Sequence, residues 1–493
     1  MKRILLKCFT IFISVILLSC NNLKTKTSST PGSRIDTLIT DYFELNRFNG
    51  NILVAKNGEI ILSKGYGYAN FEWKIPNSPD TRFLIASISK TFTASLIAKL
   101  IDQGHLTLDT KLSDILHWYR KDIGNKVTVF NLLNHTSGIP DYLNLKNITF
   151  QELSREFGTS KIDKKEFAIN YCSEDFGFEP GTNWAYNNSA YFLLGLIIEE
   201  KTGKPYHLAL QEMIFDPLGM TSSGDIQPNP YKIIENMATG YTREDGGFNV
   251  MSYWNLSTTY AAGSLYATTG DLLKFDRALN SGSFISPQLK EAMFTPFLNG
   301  YGCGWELREK SIGTDSLNKV IQTHEGYLRA WHTRFYRIPE DGYFIVILSN
   351  TGVSPLEKMF SGITDILYGR DPQYPKPSLT ELVNNELKLN GLESAIAYGK
   401  TLMQKNNKDF ETEEADLNRM GYSLINQGHK EAGVTIFQWN TELYPNSWNV
   451  WDSYGEGLSC VGKKEEAIAA YKKSLELNPE NIGGSKMINK LQQ

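Results

Sequence analysis

The sequence predicts an α+β fold: an antiparallel sheet flanked by helices, with a helical lobe inserted into it, followed by an all-α repeat segment. Three observations predict it. Strand-type runs lie near residue 50 and again in "KVIQTHEG", "AWHTRFYRIP" and "GYFIVILSN", with a helix- and loop-rich stretch between them. That is the pattern of one sheet assembled from both ends of a domain. A Pro-containing stretch, "GRDPQYPKPSLT", then interrupts the chain from Gly369 to Thr380. Beyond it, apolar and glycine positions recur thirty-four residues apart, a period typical of stacked helical hairpins.

Taken in order, the first element is a targeting segment. "MKRILLKCFTIFISVILLSC" has a basic start, a short apolar run and Leu17-Leu18-Ser19-Cys20 at its end. The run is too short for a comfortable membrane span. Its end resembles a bacterial lipoprotein signal, in which cleavage leaves Cys20 as the lipidated N-terminus; an ordinary secretory signal or an uncleaved anchor is the alternative. The polar "NNLKTKTSSTPGS" that follows has the composition of a tether. The expected organisation is a signal over 1–20, a tether over 21–34, an α+β domain over 35–370, a linker over 371–380 and a helical domain over 381–493. A chain of 493 residues has room for two or three such units.

The folded part opens with "NGNILVAKNG" and "EIILSKGYGYAN", separated by Asn57-Gly58, a strong short-hairpin signal. Next comes "FLIASISKTFTASLIAKLIDQGH", with helical periodicity and a Gly104 stop. On a wheel of about 100° per residue, Thr91, Ser95, Lys99, Asp102 and Gln103 form one polar stripe, whereas Lys90 stacks with Ala94, Ile97 and Ile101. A buried ammonium must find partners or lose its proton. Ser87 lies one turn back on nearly the same face. A hydroxyl beside an amine of lowered pKa is the makings of an activated nucleophile. Ser-x-x-Lys also occurs by chance, and the copy at Ser316–Lys319, in a polar run, reads as a surface accident.

A Ser–Lys pair needs a second base or proton shuttle, an oxyanion hole and a polar clamp. Tyr-x-Asn occurs at Tyr68, Tyr186, Tyr253 and Tyr444, but only Tyr186 stands at a loop tip entering an apolar helix, in "FEPGTNWAYNNSAYFLLGLIIEEKTG". Lys201-Thr202-Gly203 ends that helix and reads as a C-terminal cap. His324-Glu325-Gly326 instead follows the strand-type "KVIQT", with a glycine that allows close backbone approach.

In this order, Ser87-x-x-Lys90, Tyr186-x-Asn188 and His324-x-Gly326 resemble the serine β-lactamase-related family, which includes class C β-lactamases, penicillin-binding-protein-like esterases and D-amino-acid peptidases. "LLNHTSGIPDY", "IFDPLGMTSSG", "ATGYT", "AAGSLYATTGDLLKF" and "YGCGWEL" add to the resemblance, which spans Ile35 to Gly369. It implies a β-lactamase/transpeptidase-like fold and an acyl-enzyme on Ser87. Lys90 and Tyr186, the latter lowered toward phenolate by Lys90, would serve as bases and proton shuttles. The N–H groups of Ser87 and Tyr327 would form the oxyanion hole, and Asn188 would orient the substrate amide or the lysine. His324 stands where β-lactamases carry a lysine, and Glu325 departs from the small or hydroxyl residue common there, adding a charge that would repel a substrate carboxylate. "NHTSG", with His135, reads as a structural loop.

Leu417, Gly421, Leu424, Gly428, Phe437, Leu443 and Pro445 align with Trp451, Gly455, Leu458, Gly462, Tyr471, Leu477 and Pro479. The repeat resembles tetratricopeptide units, with "GLESAIAYGKTLMQ" as a remnant of a third; a generic helical-hairpin array is the alternative. Formal net charge is −4 with no long basic block, so nucleic-acid binding has no electrostatic footprint. Cys172, Cys303 and Cys460 read as structural thiols, and the seven histidines show no metal spacing, so no metal or other cofactor is expected.

The leading expectation is therefore an exported, lipid-anchored serine hydrolase, facing the periplasm or the outer surface, acting on a small ester, amide or peptide. D-amino-acid peptidase, carboxypeptidase or β-lactamase action on cell-wall-type substrates is the first alternative. A non-catalytic lipoprotein that binds a protein partner through its repeats is the second.

Overall fold

The structure is a computed structural model that describes residues 30–145, 162–226, 233–244, 247–251, 256–312, 318–352, 354–404 and 410–492. The signal segment, Cys20, most of the tether, Ser316 and Tyr253 lie outside the described residues.

The sheet does come from both ends of the domain. Strands β1 (Gly50–Lys56) and β2 (Glu59–Tyr66) precede the inserted lobe. Strands β3 (Glu306–Ser311), β4 (Asn318–Leu328), β5 (Trp331–Ile338) and β6 (Tyr343–Ser349) follow it. Their order is β3-β4-β5-β6-β1-β2, antiparallel throughout. The two halves join where β1 pairs β6 from Gly50↔Ser349 to Lys56↔Tyr343. These are the most apolar strands, and a central position buries both of their faces. The β1–β2 turn has positive φ at both Asn57 (51°) and Gly58 (79°), as a two-residue primed hairpin turn requires.

One sheet face is covered by α1 (Pro31–Glu44) and, near the end of the domain, by the helix Leu356–Leu367. Ile35, Leu38, Ile39 and Tyr42 pack there with Met359, Phe360 and Ile363. Helix α1 starts inside the stretch read as tether: Thr30 caps it through Ser33 N–H, and Pro31 occupies its first turn. The other face carries the larger core, built around α2 (Ser89–Asp102) and α3 (Asn188–Thr202). The polar stripe of α2 runs from buried (Thr91 and Ser95) through Lys99 to exposed (Asp102 and Gln103). Thr91 Oγ1 donates to Ile88 O (2.8 Å) and Ser95 Oγ to Thr91 O (2.8 Å), so these hydroxyls are satisfied within the helix itself. At the far end of α3, Gly203 adopts a left-handed cap (φ 66°), so Lys201-Thr202-Gly203 is indeed a helix stop. A small sheet of Phe83–Leu84, Leu265–Ala267 and Gly224–Asp225, not foreseen from the sequence, braces the approach to Ser87.

Past an irregular stretch, Ser378 caps the first helix of an all-α segment with a capping box to Glu381. Its helices Glu414–Asn426 and Lys430–Leu443 recur, thirty-four positions on, as Trp448–Cys460 and Lys464–Leu477. The hairpin Leu379–Asn390 with Leu392–Gln404 precedes them, where a third unit was read, and Ile482–Gln492 follows. Gly421 packs on the Phe437 ring and Gly455 on the Tyr471 ring, which is why both units keep glycine there.

Candidate active site

Ser87 lies in a 3-10 turn, Ala86–Ile88, just ahead of α2. Ala86 is held at φ 45°, a strained conformation for a residue with a Cβ. The turn is anchored on both sides: Ile85 N–H donates to Leu265 O (2.9 Å) and Leu265 N–H to Ser89 Oγ (3.1 Å). The hydroxyl of Ser87 is half-buried.

Lys90 is fully buried and fully partnered. Its Nζ lies 2.8 Å from Asn188 Oδ1, 2.8 Å from Ala262 O and 3.1 Å from Ser87 Oγ. Burial pulls its pKa down to about 7, against the opposing pull of the Asp141 carboxylate. The amine is therefore available as a base near neutral pH, as its place on an apolar face suggests.

Tyr186 sits at the loop tip before α3, with Asn187 capping the helix through Ala190 N–H (2.7 Å). Its phenol shares a hydrogen bond with Ser87. The expectation that Lys90 drives it toward phenolate is corrected. Burial raises its pKa well above the ordinary range, and Glu306, Asp141 and Glu325 raise it further. Tyr186 holds its proton. The arrangement leaves Lys90 able to take a proton and Tyr186 able to give one.

His135 is nearer the centre than a generic loop residue. It takes a left-handed backbone (φ 66°), its Nδ1 accepts Asn187 N–H (3.1 Å), and its ring packs 4.5 Å from that of Tyr186. Burial keeps it neutral. It supports Tyr186 and makes no contact of its own with Ser87 among the described bonds.

On β4, pairing with β3 ends at Glu306↔Thr323, so His324–Leu328 pairs with β5 alone and leaves its other edge toward the Ser87 turn. Gly326 is required by this approach. A Cβ there would stand 2.1 Å from Ile85 O and 2.4 Å from Thr333 Oγ1. Thr333 Oγ1 itself reaches both Ile85 O (3.1 Å) and Gly326 O (3.2 Å), pinning strand to turn. The Tyr327 side chain stands exposed at the rim, edge-on to His332.

His324 is buried and neutral, its pKa lowered to about 4 by burial. Its Nδ1 lies 2.7 Å from Glu325 O, which only accepts, so the ring proton is on Nδ1. Nε2 then accepts from Tyr301 Oη (2.9 Å). Both ring nitrogens are committed to the protein.

Glu325 is ionised but compensated, which tempers the repulsion expected of it. Its Oε1 is 2.6 Å from His332 Nε2 and its Oε2 3.2 Å from Arg334, and the His332 bond leads in lowering its pKa. Arg334, almost fully buried, also pairs with Glu306 (2.9 Å) and Glu357 (2.7 Å).

Two participants were not read from the sequence as site residues. Asp141 accepts from Asn188 Nδ2 (2.8 Å), and Ala262 offers only its carbonyl. The first is visible in retrospect as the acid closing "NHTSGIPD"; a backbone carbonyl has no sequence signature.

The family model described as Beta-lactamase matches residues 35–363. The chain belongs to the beta-lactamase family. Among relatives of this beta-lactamase-family protein, Penicillin-binding protein 4* of Bacillus subtilis is 30% identical over 341 residues, covering 64% of this chain and 71% of the relative. The Teichoic acid D-alanine hydrolase of Staphylococcus aureus is 26% identical over 313 residues, covering 63% and 72%. A penicillin binding protein from Bacillus halodurans, solved by crystallography, superposes with TM-score 0.55 at 27% identity, over 67% of this chain and 97% of that one. The family and these relatives support a hydrolase acting on ester or amide bonds. The α+β, β-lactamase/transpeptidase-like fold and the all-helical C-terminal segment stand as expected from the sequence.

Proposed function

We propose that this protein is a serine hydrolase that cleaves small esters or amides through an acyl-enzyme on Ser87. The observation that carries the reading is Lys90, buried, with a pKa near 7 and its Nζ 3.1 Å from a half-exposed serine hydroxyl. As Ser87 Oγ bonds the substrate carbonyl carbon, its proton passes to Lys90 and the carbonyl π pair moves to oxygen. The N–H groups of Ser87 and Tyr327 are the candidates to receive that oxyanion. Tyr186 is suited to donate its proton to the leaving group while it regains one from the Lys90 ammonium, so that Lys90, neutral again, can take a proton from the water that releases the acyl group.

The substrate reading favours neutral or cationic groups over carboxylates. His324 carries no charge and has no free nitrogen, and Arg334 is occupied by three glutamates, so neither is free to clamp a substrate carboxylate. A D-aminoacyl ester or amide is the preferred class, on the likeness to the teichoic acid D-alanine hydrolase. Cys20 would hold the enzyme at a membrane by lipid, and the helical repeats would bind a protein partner. Intact-protein mass spectrometry after exposure to a fluorophosphonate tests the central claim. One adduct on wild type and none on Ser87→Ala is expected; equal labelling of both rejects it. Release from membranes by Cys20→Ala tests the anchor.

A further inference from the structure

We propose that Asp141 is a positioning residue, which holds the Asn188 amide in the one orientation that turns Lys90 into a base aimed at Ser87. The inference rests on the reading of Ser87 and Lys90 as the reacting pair.

An amide has a donor end and an acceptor end, and a rotation of about 180° about its terminal bond exchanges them. Asp141 decides which way Asn188 faces. An ionised carboxylate only accepts, so the group 2.8 Å from Asp141 Oδ2 is the Nδ2 donor. The Oδ1 acceptor is then left facing Lys90 Nζ, also at 2.8 Å. Reversed, the amide would set oxygen against carboxylate and NH2 against an amine that needs acceptors. Asp141 is itself held in place. Its Oδ1 accepts Leu143 N–H (3.0 Å), Tyr142 N–H donates to Ser189 Oγ (2.9 Å), and Ser189 Oγ donates to Pro140 O (2.8 Å). The loop before Tyr142 is thus stitched to the first turn of α3.

The consequence falls on Lys90. Asn188 Oδ1 and Ala262 O can only accept, so each claims one hydrogen of Nζ. The direction that remains points at Ser87 Oγ. In the neutral amine that direction holds the lone pair, and the serine hydroxyl must donate into it. Without Asp141 the amide is free to rotate, and the lone pair is no longer directed.

Asp141 also acts through its charge. Among the described residues, the other titratable groups facing Lys90 are the rings of Tyr186 (4.8 Å) and Tyr191 (5.5 Å), with His135 and His324. Burial keeps both phenols protonated and both imidazoles neutral. Burial raises the pKa of Asp141, against the hydrogen bonds from Leu143 and Asn188 that favour its carboxylate, and in that ionised form it favours the ammonium form of Lys90.

The test compares Asp141→Asn and Asp141→Ala with wild type, following kcat/KM for a short nitrophenyl ester across pH. Asp141→Asn retains an acceptor for Asn188 and loses the charge. Its acid limb is expected to move to lower pH by about one unit, a tenfold change in the neutral fraction of Lys90, with much of kcat kept. Asp141→Ala is expected to lose kcat by tenfold or more with a smaller change in KM. Wild-type kcat in a folded Asp141→Ala overturns the positioning role, and an acid limb of Asp141→Asn that superimposes on wild type overturns the role of its charge; where Asp141→Ala does not fold, Asp141→Ser, which keeps a polar group there, is read in its place. Failure of the catalytic reading would look different: Ser87→Ala would keep turnover.

Discussion

Lys90 Nζ stands over the aromatic face of Tyr186, 4.8 Å from the ring centroid, while the phenol of the same ring bonds Ser87. A π face favours the ammonium form, in the sense opposite to burial. Tyr186→Phe keeps that face and removes only the hydroxyl. Folding and the acid limb should stay close to wild type, while the proton delivered to the leaving group is lost. The deficit should reach about 100-fold for an alkyl ester or anilide, whose leaving group must be protonated, and be much smaller for a nitrophenyl ester. A uniform loss across leaving groups would return Tyr186 to the role of base.

The pH profile follows from Lys90. Its pKa is lowered to about 7 by burial, and the neutral amine is the active form. As pH rises through about 7 the ammonium loses its proton, so kcat/KM should rise there and level off above. Lys90→Ala and Ser87→Ala should each abolish nearly all turnover, and the double variant should lose little more, because the two act as one unit. Additive losses would separate them.

Gly326→Ala tests the approach of β4 to the serine turn. The new methyl would meet the Ile85 carbonyl and Thr333 Oγ1, neither of which is the far end of a flexible chain. The strand must back away from the turn. We expect roughly 1–3 kcal/mol of destabilisation by urea melting, and a larger proportional loss of kcat, since Tyr327 N–H moves with the strand. Wild-type kcat in a folded variant would remove Tyr327 from the oxyanion hole.

Charge at the site makes a prediction about substrate. On one preparation, kcat/KM for a short nitrophenyl ester should exceed that for nitrocefin, whose carboxylate finds His324 neutral and Arg334 already paired. Glu325→Gln should shift the ratio toward nitrocefin only modestly, because His332 and Arg334 already offset the carboxylate it removes. Faster turnover of nitrocefin by wild type would overturn the electrostatic argument.

What could be read from the sequence divides along physical lines. Ser87 and Lys90 are three residues apart, and His324, Gly326 and Tyr327 share one strand, so local geometry alone brings each group together. The β1–β2 hairpin and the thirty-four-residue repeat are likewise local patterns. Asp141 and Asn188 meet across 47 positions, and Lys90 and Ala262 across 172. No local period encodes such meetings. The direction of the Tyr186 pKa depended on burial that only the packed lobe supplies. Strand β3 escaped notice because it is an edge strand, with polar residues at most of its positions.

The last prediction concerns the separability of the helical segment. Its apolar core, with Leu379, Val383, Leu417, Ile436 and Trp439, is distinct from the cluster of Leu38, Phe360 and Ile363 beneath the sheet. Charged side chains join the two. Arg47, mostly buried, reaches Glu411 (2.9 Å) and Glu381 (3.3 Å), with Arg243 near Glu381 (3.7 Å) and Lys358 near Glu411 (3.8 Å) and Glu413 (3.6 Å). The exposed Lys358 pairs contribute about 0–1 kcal/mol each, and removal of the helical segment opens Arg47 to water in place of its carboxylate partners. A chain ending after Pro372 keeps Pro372 beside Gly362 on the helix Leu356–Leu367, and the two apolar clusters of the hydrolase include no residue of the helical segment. It should therefore fold and turn over a small ester with kcat/KM within about twofold of the full chain, at the cost of a few degrees in Tm. Loss of solubility or activity would mean that the repeats complete the hydrolase fold. In that case Arg47→Ala in the full chain should reproduce part of the defect.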